Sequence, residues 1–226
     1  MFNRDLFVYN EETHEGTYQG QRVPSVTQLV GILFPLSEDI PQDRLENAAS
    51  HGTLVHDAIA QLNEYFDPHF PYETNLDVVV IDVATKIAQT KDLPELIDYV
   101  CMLSAFKLKP YEYEQLVFLC DEEGELICYG HFDCIFEPQD DIEPFTTNEL
   151  TMCDYKTTST FEKPKVALQE SIYALAYEQM TKRVIGNMIG MHLKNGAKII
   201  PLNRHDDKYI IELCKGLAKT WKEQLC

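Results

Sequence analysis

Leu150-Thr151-Met152-Cys153-Asp154-Tyr155-Lys156 decides how this chain is read. An apolar, β-prone run closes on an acid and a base two residues apart, so in an extended chain both side chains leave on one face. Upstream, Leu116-Val117-Phe118-Leu119 is followed by the polar turn Asp121-Glu122-Glu123-Gly124, then by Leu126-Ile127-Cys128-Tyr129 and by Phe132 to Phe136. These are short strand-like runs, and the turn residues make the first two a hairpin. The acidic stretch Pro138 to Asn148 reads as a loop. The hairpin and the Leu150 strand are expected as sheet neighbours, which puts Asp133 and Asp154 on strands about 4.8 Å apart.

Helical spacing surrounds this sheet. Val26, Leu29, Val30 and Leu33 recur at three and four residues before Pro35, predicting a helix over roughly 25–34. Pro41 to Phe66 predicts a longer helix, with Ala48, Ala49, Gly52, Val55, His56, Ile59 and Ala60 at helical intervals and His56 on its packed face. Patterns over roughly 76–90 and 94–107, joined by Lys91-Asp92-Leu93-Pro94, read as a small helical insertion over about 76–110 that caps the core. A helix over roughly 165–185 places Gln169 and Tyr173 on one face at i, i+4. Ile189 to Leu193 and Ala197 to Leu202 read as a second hairpin across Asn195-Gly196, and a last helix over roughly 207–224 closes the chain. There is no internal repeat and no glycine-rich phosphate loop. The expected fold is α/β, a mixed central sheet flanked by helices, in one domain over 1–226.

Composition bounds the function. The 226 residues, 45% of them hydrophobic, suffice for one sizeable core. Met1-Phe2-Asn3-Arg4-Asp5 lacks an apolar signal core, and no stretch approaches the roughly 18 apolar residues of a membrane span. No membrane role and a cytoplasmic setting are therefore expected. Cysteines 101, 120, 128, 134, 153, 214 and 226 form no C-x-x-C pair and are odd in number, which suits reduced and mostly buried thiols. The net charge is −18, a poor footprint for nucleic acid at first sight. Its distribution is uneven: residues 1–155 hold 7 Lys/Arg against 30 Asp/Glu (−23), residues 156–226 hold 12 against 7 (+5). The basic part begins at Lys156, and charges on other faces are screened beyond about 8–10 Å at ordinary salt.

Asp133 and Asp154, on neighbouring strands, can converge on one hard divalent cation, and Lys156 then stands where a phosphate oxygen or an attacking water must be held. That combination suits hydrolysis of a phosphodiester. Each piece also has a bland reading. Asp-x-Lys recurs by chance, and Gln169 and Tyr173 can be a polar edge and a core aromatic. Glu114 can be a solvated strand residue, and His56 a satisfied core histidine. Asp133, however, lies between Phe132 and Cys134, where an unpaired carboxylate is costly. Gly52, one turn before His56, costs about 1 kcal/mol inside a helix, which points to a close approach of backbone or ligand.

Taken in order, these residues resemble the RecB-like and lambda-exonuclease-like branch of the PD-(D/E)XK nuclease superfamily. Gly52-Thr53-Leu54-Val55-His56 is similar to its G-x-x-x-H helix, and Gly130-His131-Phe132-Asp133 to its G-x-x-D strand. Asp154-Tyr155-Lys156 is similar to the D-x-K element, and Gln169-Glu170-Ser171-Ile172-Tyr173 to the Q-x-x-x-Y helix. Val23-Pro24-Ser25-Val26-Thr27 resembles the opening of many phage-encoded members, and the likeness spans roughly 23–202.

The resemblance implies a restriction-endonuclease-like core and a Mg²⁺- or Mn²⁺-dependent DNA exonuclease of phage or bacterial recombination, repair or replication, in the cytosol of a bacterium or an infected host. It implies metal binding by His56, Asp133, Asp154 and the backbone carbonyl of Tyr155, with Glu114 as a further candidate. Lys156 would orient or activate water, and Gln169 and Tyr173 would position Lys156 and the substrate phosphate. Clustered C-terminal cysteines are missing, so no iron–sulfur cluster is expected. DNA is the expected partner, and the acidic first two-thirds leaves room for a recombination or replication protein and for a homo-oligomer. The competing reading is a nuclease-fold interaction module, a partner-binding or DNA-mimicking protein without cleavage. The buried charges such a module has no reason to retain count against it. A metal hydrolase of another phosphate substrate would more often carry a His-rich ligand set.

Overall fold

The polar turn at Asp121 closes a hairpin longer than its apolar runs announce. In the computed structural model, which describes residues 1–11, 13–36, 41–66, 80–194 and 196–225, β4 (Leu108–Cys120) and β5 (Leu126–Pro138) pair antiparallel along their whole lengths. Asp121 makes the turn by accepting from the backbone N–H groups of Glu123 and Glu125 at 3.1 and 2.8 Å, and Gly124 takes the left-handed conformation (φ 78°). The runs before and after Gly130-His131 are therefore one strand rather than two.

β6 (Leu150–Lys156) lies antiparallel beside β5, and β7 (Ile185–His192) parallel beside β6. β8 (Lys198–Pro201) then pairs antiparallel with β7, giving a mixed five-stranded sheet in the order β4-β5-β6-β7-β8. The parallel pair needs a crossover, which the helix at Lys163–Thr181 provides. That helix ends at Lys182, in the left-handed conformation, so Ile185 belongs to β7 and not to the helix. The turn residue Asn195 lies outside the described residues.

Helices cover both faces. Over one lie α1 (Val26–Leu33), the crossover helix and the C-terminal Asp207–Gln224, packing Leu29, Ile172, Tyr177 and Trp221 onto Phe132, Ile135 and Met152. Ser25 and Gln28 form a reciprocal capping box that starts α1. Over the other lie α2 (Gln42–Asn63), α3 (Ile81–Lys91) and α4 (Glu95–Phe106), whose Val55, Ile59, Leu62, Leu96 and Leu103 meet Cys134, Phe136, Tyr155 and Met191. The crossover and C-terminal helices are α5 and α6. Expected helical residues 76–79 lie outside the described residues, and the chain has entered β4 by Leu108. Only the second half of α2 is packed: Ala48 and Ala49 are exposed and border a cavity they share with Lys156 and Thr157 at the end of β6. Among the described residues, no helix is long and apolar enough to cross a membrane.

The first 23 residues hold a feature that the sequence reading left unassigned. β1 (Phe7–Asn10), β2 (Glu15–Tyr18) and β3 (Gln21–Val23) form a small antiparallel sheet. Phe7 and Phe2 pack on Phe118, and Tyr9 on Tyr129 and His131, so this sheet leans on the β4–β5 hairpin.

Candidate active site

The site begins where β5 and β6 part. Their pairing runs from Phe136↔Thr151 to Cys134↔Cys153 and stops. Beyond it β6 stays paired with β7, and on the β5 side the Tyr155 N–H donates to Asp133 Oδ2 at 2.6 Å. Asp133 thus closes the fork by replacing a backbone acceptor with a carboxylate.

A local irregularity aims that carboxylate. Phe132 packs into the α5 side of the core whereas Cys134 packs into the α2 side, so strand alternation breaks at Asp133. Opposite it, between the pairs Tyr113↔Cys134 and Gln115↔Phe132, Glu114 holds a left-handed backbone with φ 49°. Such a conformation costs a non-glycine residue about 1–3 kcal/mol and persists where the surroundings impose it. The result is a convergence: ligand atoms of His56, Glu114 and Asp133 all lie within 4.8 Å of one another. His56 reaches in from α2, with Nδ1 3.3 Å from Asp133 Oδ1 and Nε2 3.2 Å from the carbonyl oxygen of Tyr155.

Asp154 stands across the fork on the α5 side. Its Oδ1 accepts from Lys156 Nζ at 2.5 Å and from Gln169 Nε2 at 3.3 Å. Gln169 Nε2 is also 3.5 Å from the hydroxyl of Tyr173. Asp154 Oδ2 is buried and has no hydrogen-bond partner among the described residues. The fork therefore brings together all seven side chains singled out in the sequence, with His56, Glu114 and Asp133 on one side of it and Asp154, Lys156, Gln169 and Tyr173 on the other.

Burial and proximity set the charges. Burial disfavours the His56 cation, but the charge of Asp133 and its hydrogen bond outweigh this and raise His56 to about 9. Burial likewise opposes the Asp133 carboxylate, and the His56 charge overcomes it, leaving Asp133 below its ordinary value. Asp154 goes the other way: burial raises it to about 6 against the pull of Lys156. Lys156 stays a cation above its ordinary value, since Asp154 and then Asp133 outweigh its burial. Glu114 keeps an edge open to solvent, yet the protein packed round its carboxylate and the Asp133 charge push it up to about 7.

One neighbour escaped the sequence reading. Glu170, fully buried on α5, has no hydrogen-bond partner on either carboxylate oxygen among the described residues. Burial first, then the charges of Asp154 and Asp133, hold its carboxyl well above the ordinary range. Its signal is in α5 itself: apolar residues from Val166 to Tyr177 occupy every face of that helix, and of the positions there only Gln169 is not fully buried.

Gly52 does not answer to protein packing. Among the described residues a Cβ there would meet only Thr157 Oγ1, at 3.5 Å, an ordinary contact. Two cavities open on either side of it, of about 480 and 560 Å³, and both are lined by Gly52 and His56.

No family model matches the chain and no curated protein matches it. Among solved structures, one described as the crystal structure of SSO0001 superposes with a TM-score of 0.39 at 15% identity, over 86% of this chain and 82% of the other. A likeness at that level carries no argument here.

Proposed function

We propose that this chain is a divalent-metal-dependent DNA exonuclease of the PD-(D/E)XK type, hydrolysing phosphodiester bonds in phage or bacterial recombination, repair or replication. The observation that carries the reading is the fork itself: Asp133, Asp154 and Lys156 meet a histidine from α2 at one strand divergence, and Asp154 Oδ2 is buried there without a partner among the described residues.

The donor set fits a hard cation. Carboxylates of Asp133, Asp154 and Glu114, the Tyr155 carbonyl and one imidazole would hold Mg²⁺ or Mn²⁺, and the orphaned Asp154 oxygen is the kind of atom such an ion satisfies. When bound, the ion supplies Lewis acidity to the phosphate. The remaining work belongs to the chain. Lys156 presents a fixed ammonium that donates to a phosphate oxygen or to the incoming water, and Asp154 holds that ammonium in place. Gln169, braced by Tyr173, keeps Asp154 oriented. Without the ion His56, as a cation, spans Asp133 and the Tyr155 carbonyl and so fixes the two edges of the fork relative to each other; to ligate the ion it would release a proton and give up one of these contacts. The acidic first 155 residues make a partner protein that brings DNA affinity a natural companion.

The reading is tested by titrating the protein with Mn²⁺ and then supplying linear and covalently closed circular DNA with Mg²⁺, Mn²⁺ or EDTA. Metal-dependent loss of linear DNA with the circle intact is expected. Tight Mn²⁺ binding without digestion of either form would overturn the reading in favour of a partner-binding module.

A further inference from the structure

The cavity of about 480 Å³ beside His56 has a wall that catalysis does not use. Tyr9 from β1, His14 from the β1–β2 turn and His131 from β5 line it together with His56, Glu114 and Gly52. The three rings form a cluster: Tyr9 and His131 have centroids 5.0 Å apart, Tyr9 and His14 6.3 Å. The cluster is built rather than incidental. His14 sits at φ 52°, a strained conformation, held by the Tyr9 hydroxyl on Nδ1 at 2.9 Å and by the Tyr129 hydroxyl donating to its carbonyl at 3.0 Å. His131 lies two residues before Asp133 on β5, roughly 7 Å along the strand. That is comparable with one nucleotide step of an unstacked strand.

We propose that this ring cluster is a stacking subsite for one unpaired nucleobase, next to the phosphate held at Asp133, Asp154 and Lys156, so that the substrate class is DNA with a single-stranded or frayed end. The inference rests on the nuclease reading above. Charge supports it. Glu11, Asp57 and Glu114 surround the same cavity and would repel a phosphate, whereas a neutral base is not repelled and its exocyclic amines can donate to these carboxylates. Aromatic rings accept any base by its π-face, as single-strand binders do. A volume of this order lies within the range of small-ligand pockets. Gly52 and His56 line both this cavity and the one beside Lys156, so the subsite and the phosphate position share a wall. A base still paired in a duplex cannot enter, so the subsite selects against blunt ends.

The test uses the full chain. Affinity for a short oligothymidylate carrying a terminal 2-aminopurine is measured with Ca²⁺ in place of Mg²⁺, and cleavage of single-stranded against blunt duplex DNA with Mg²⁺, for wild type, Tyr9→Leu, His131→Ala and His131→Phe. Tyr9→Leu and His131→Ala are expected to weaken binding roughly five- to a hundred-fold, the effect of one lost base stack. They should also lower the ratio of single-strand to duplex cleavage and abolish the fluorescence quenching of the bound 2-aminopurine. His131→Phe, which keeps a ring, is expected to restore all three. Unchanged affinity and cleavage ratio in folded variants overturn the inference while leaving the nuclease intact. A wild type that cleaves no DNA overturns the nuclease reading and the inference with it.

Discussion

Replacing Lys156 by methionine separates charge from bulk. Methionine fills much of the lysine stem, so packing around β6 is largely kept while the ammonium 2.5 Å from Asp154 Oδ1 is removed. The Asp154 side chain is 2% exposed and that of Lys156 26%, so the pair is sheltered but not sealed. Gln169 Nε2, at 3.3 Å, remains as a donor to the same oxygen, which keeps the carboxylate from being stranded. The folding cost is therefore that of one charge-assisted hydrogen bond, about 1.5–3 kcal/mol. For a chain of this length that lowers Tm by roughly 3–12 °C. On the proposed nuclease reading the catalytic cost is larger, because a fixed charge is lost where negative charge would develop in the transition state, and such donors are worth about 10²–10³ in kcat. Thermal unfolding followed by circular dichroism in EDTA reads the first effect, and digestion of end-labelled linear DNA with saturating Mg²⁺ reads the second. Cleavage within a few-fold of wild type, in a variant that melts as described, would refute the role given to Lys156.

Two further substitutions probe the frame around the site. Glu170 holds its proton in the folded protein above its ordinary value of 4.5, where the unfolded chain releases it. Wild-type stability should therefore decline as pH rises from that value toward the folded one. Glu170→Gln should gain on wild type by up to about 1.4 kcal/mol per pH unit over that window in urea unfolding, and parallel stability curves would show that the buried carboxyl does not titrate as argued. At Gly130, an added Cβ would lie 2.5 Å from Tyr173 Cε1 and 3.2 Å from Val26 Cγ2. Gly130→Ala should cost about 1–3 kcal/mol, visible as a lower Tm, and should slow cleavage because Tyr173 braces Gln169; a Tm equal to wild type would mean that the β5–α5 contact yields more easily than its packing indicates.

Much of this was legible because long signals agree with tertiary structure. The apolar run ending at Asp154, the helical spacing around Gln169 and Tyr173, and the turn at Asp121 each match a period that burial then enforces. The N-terminal sheet was not legible, since strands of three and four residues such as Gln21–Val23 and Glu15–Tyr18 offer too few alternations to stand out. Its rings face the site only because Tyr129 and Phe118 draw the sheet onto β4 and β5, a contact at long separation that no local pattern encodes. Ala48 and Ala49 share the periodicity of Val55 and Ile59 but border a cavity instead of packed core, so period alone overstated how far α2 is buried. The left-handed backbone at Glu114 carries no sequence mark either, as Gly or Asn would, and with it went the means of ranking Glu114 beside Asp133 from sequence.

The most direct measurement on the nuclease reading is the rate at which wild type and Asp154→Asn degrade end-labelled linear DNA with Mg²⁺, Mn²⁺ or EDTA. Asparagine keeps the shape of the side chain and an acceptor for Lys156 but removes the charge offered to a cation. Digestion by wild type that needs the metal and falls by orders of magnitude in Asp154→Asn is the predicted result. Digestion that survives EDTA, or that Asp154→Asn leaves unchanged, would contradict it.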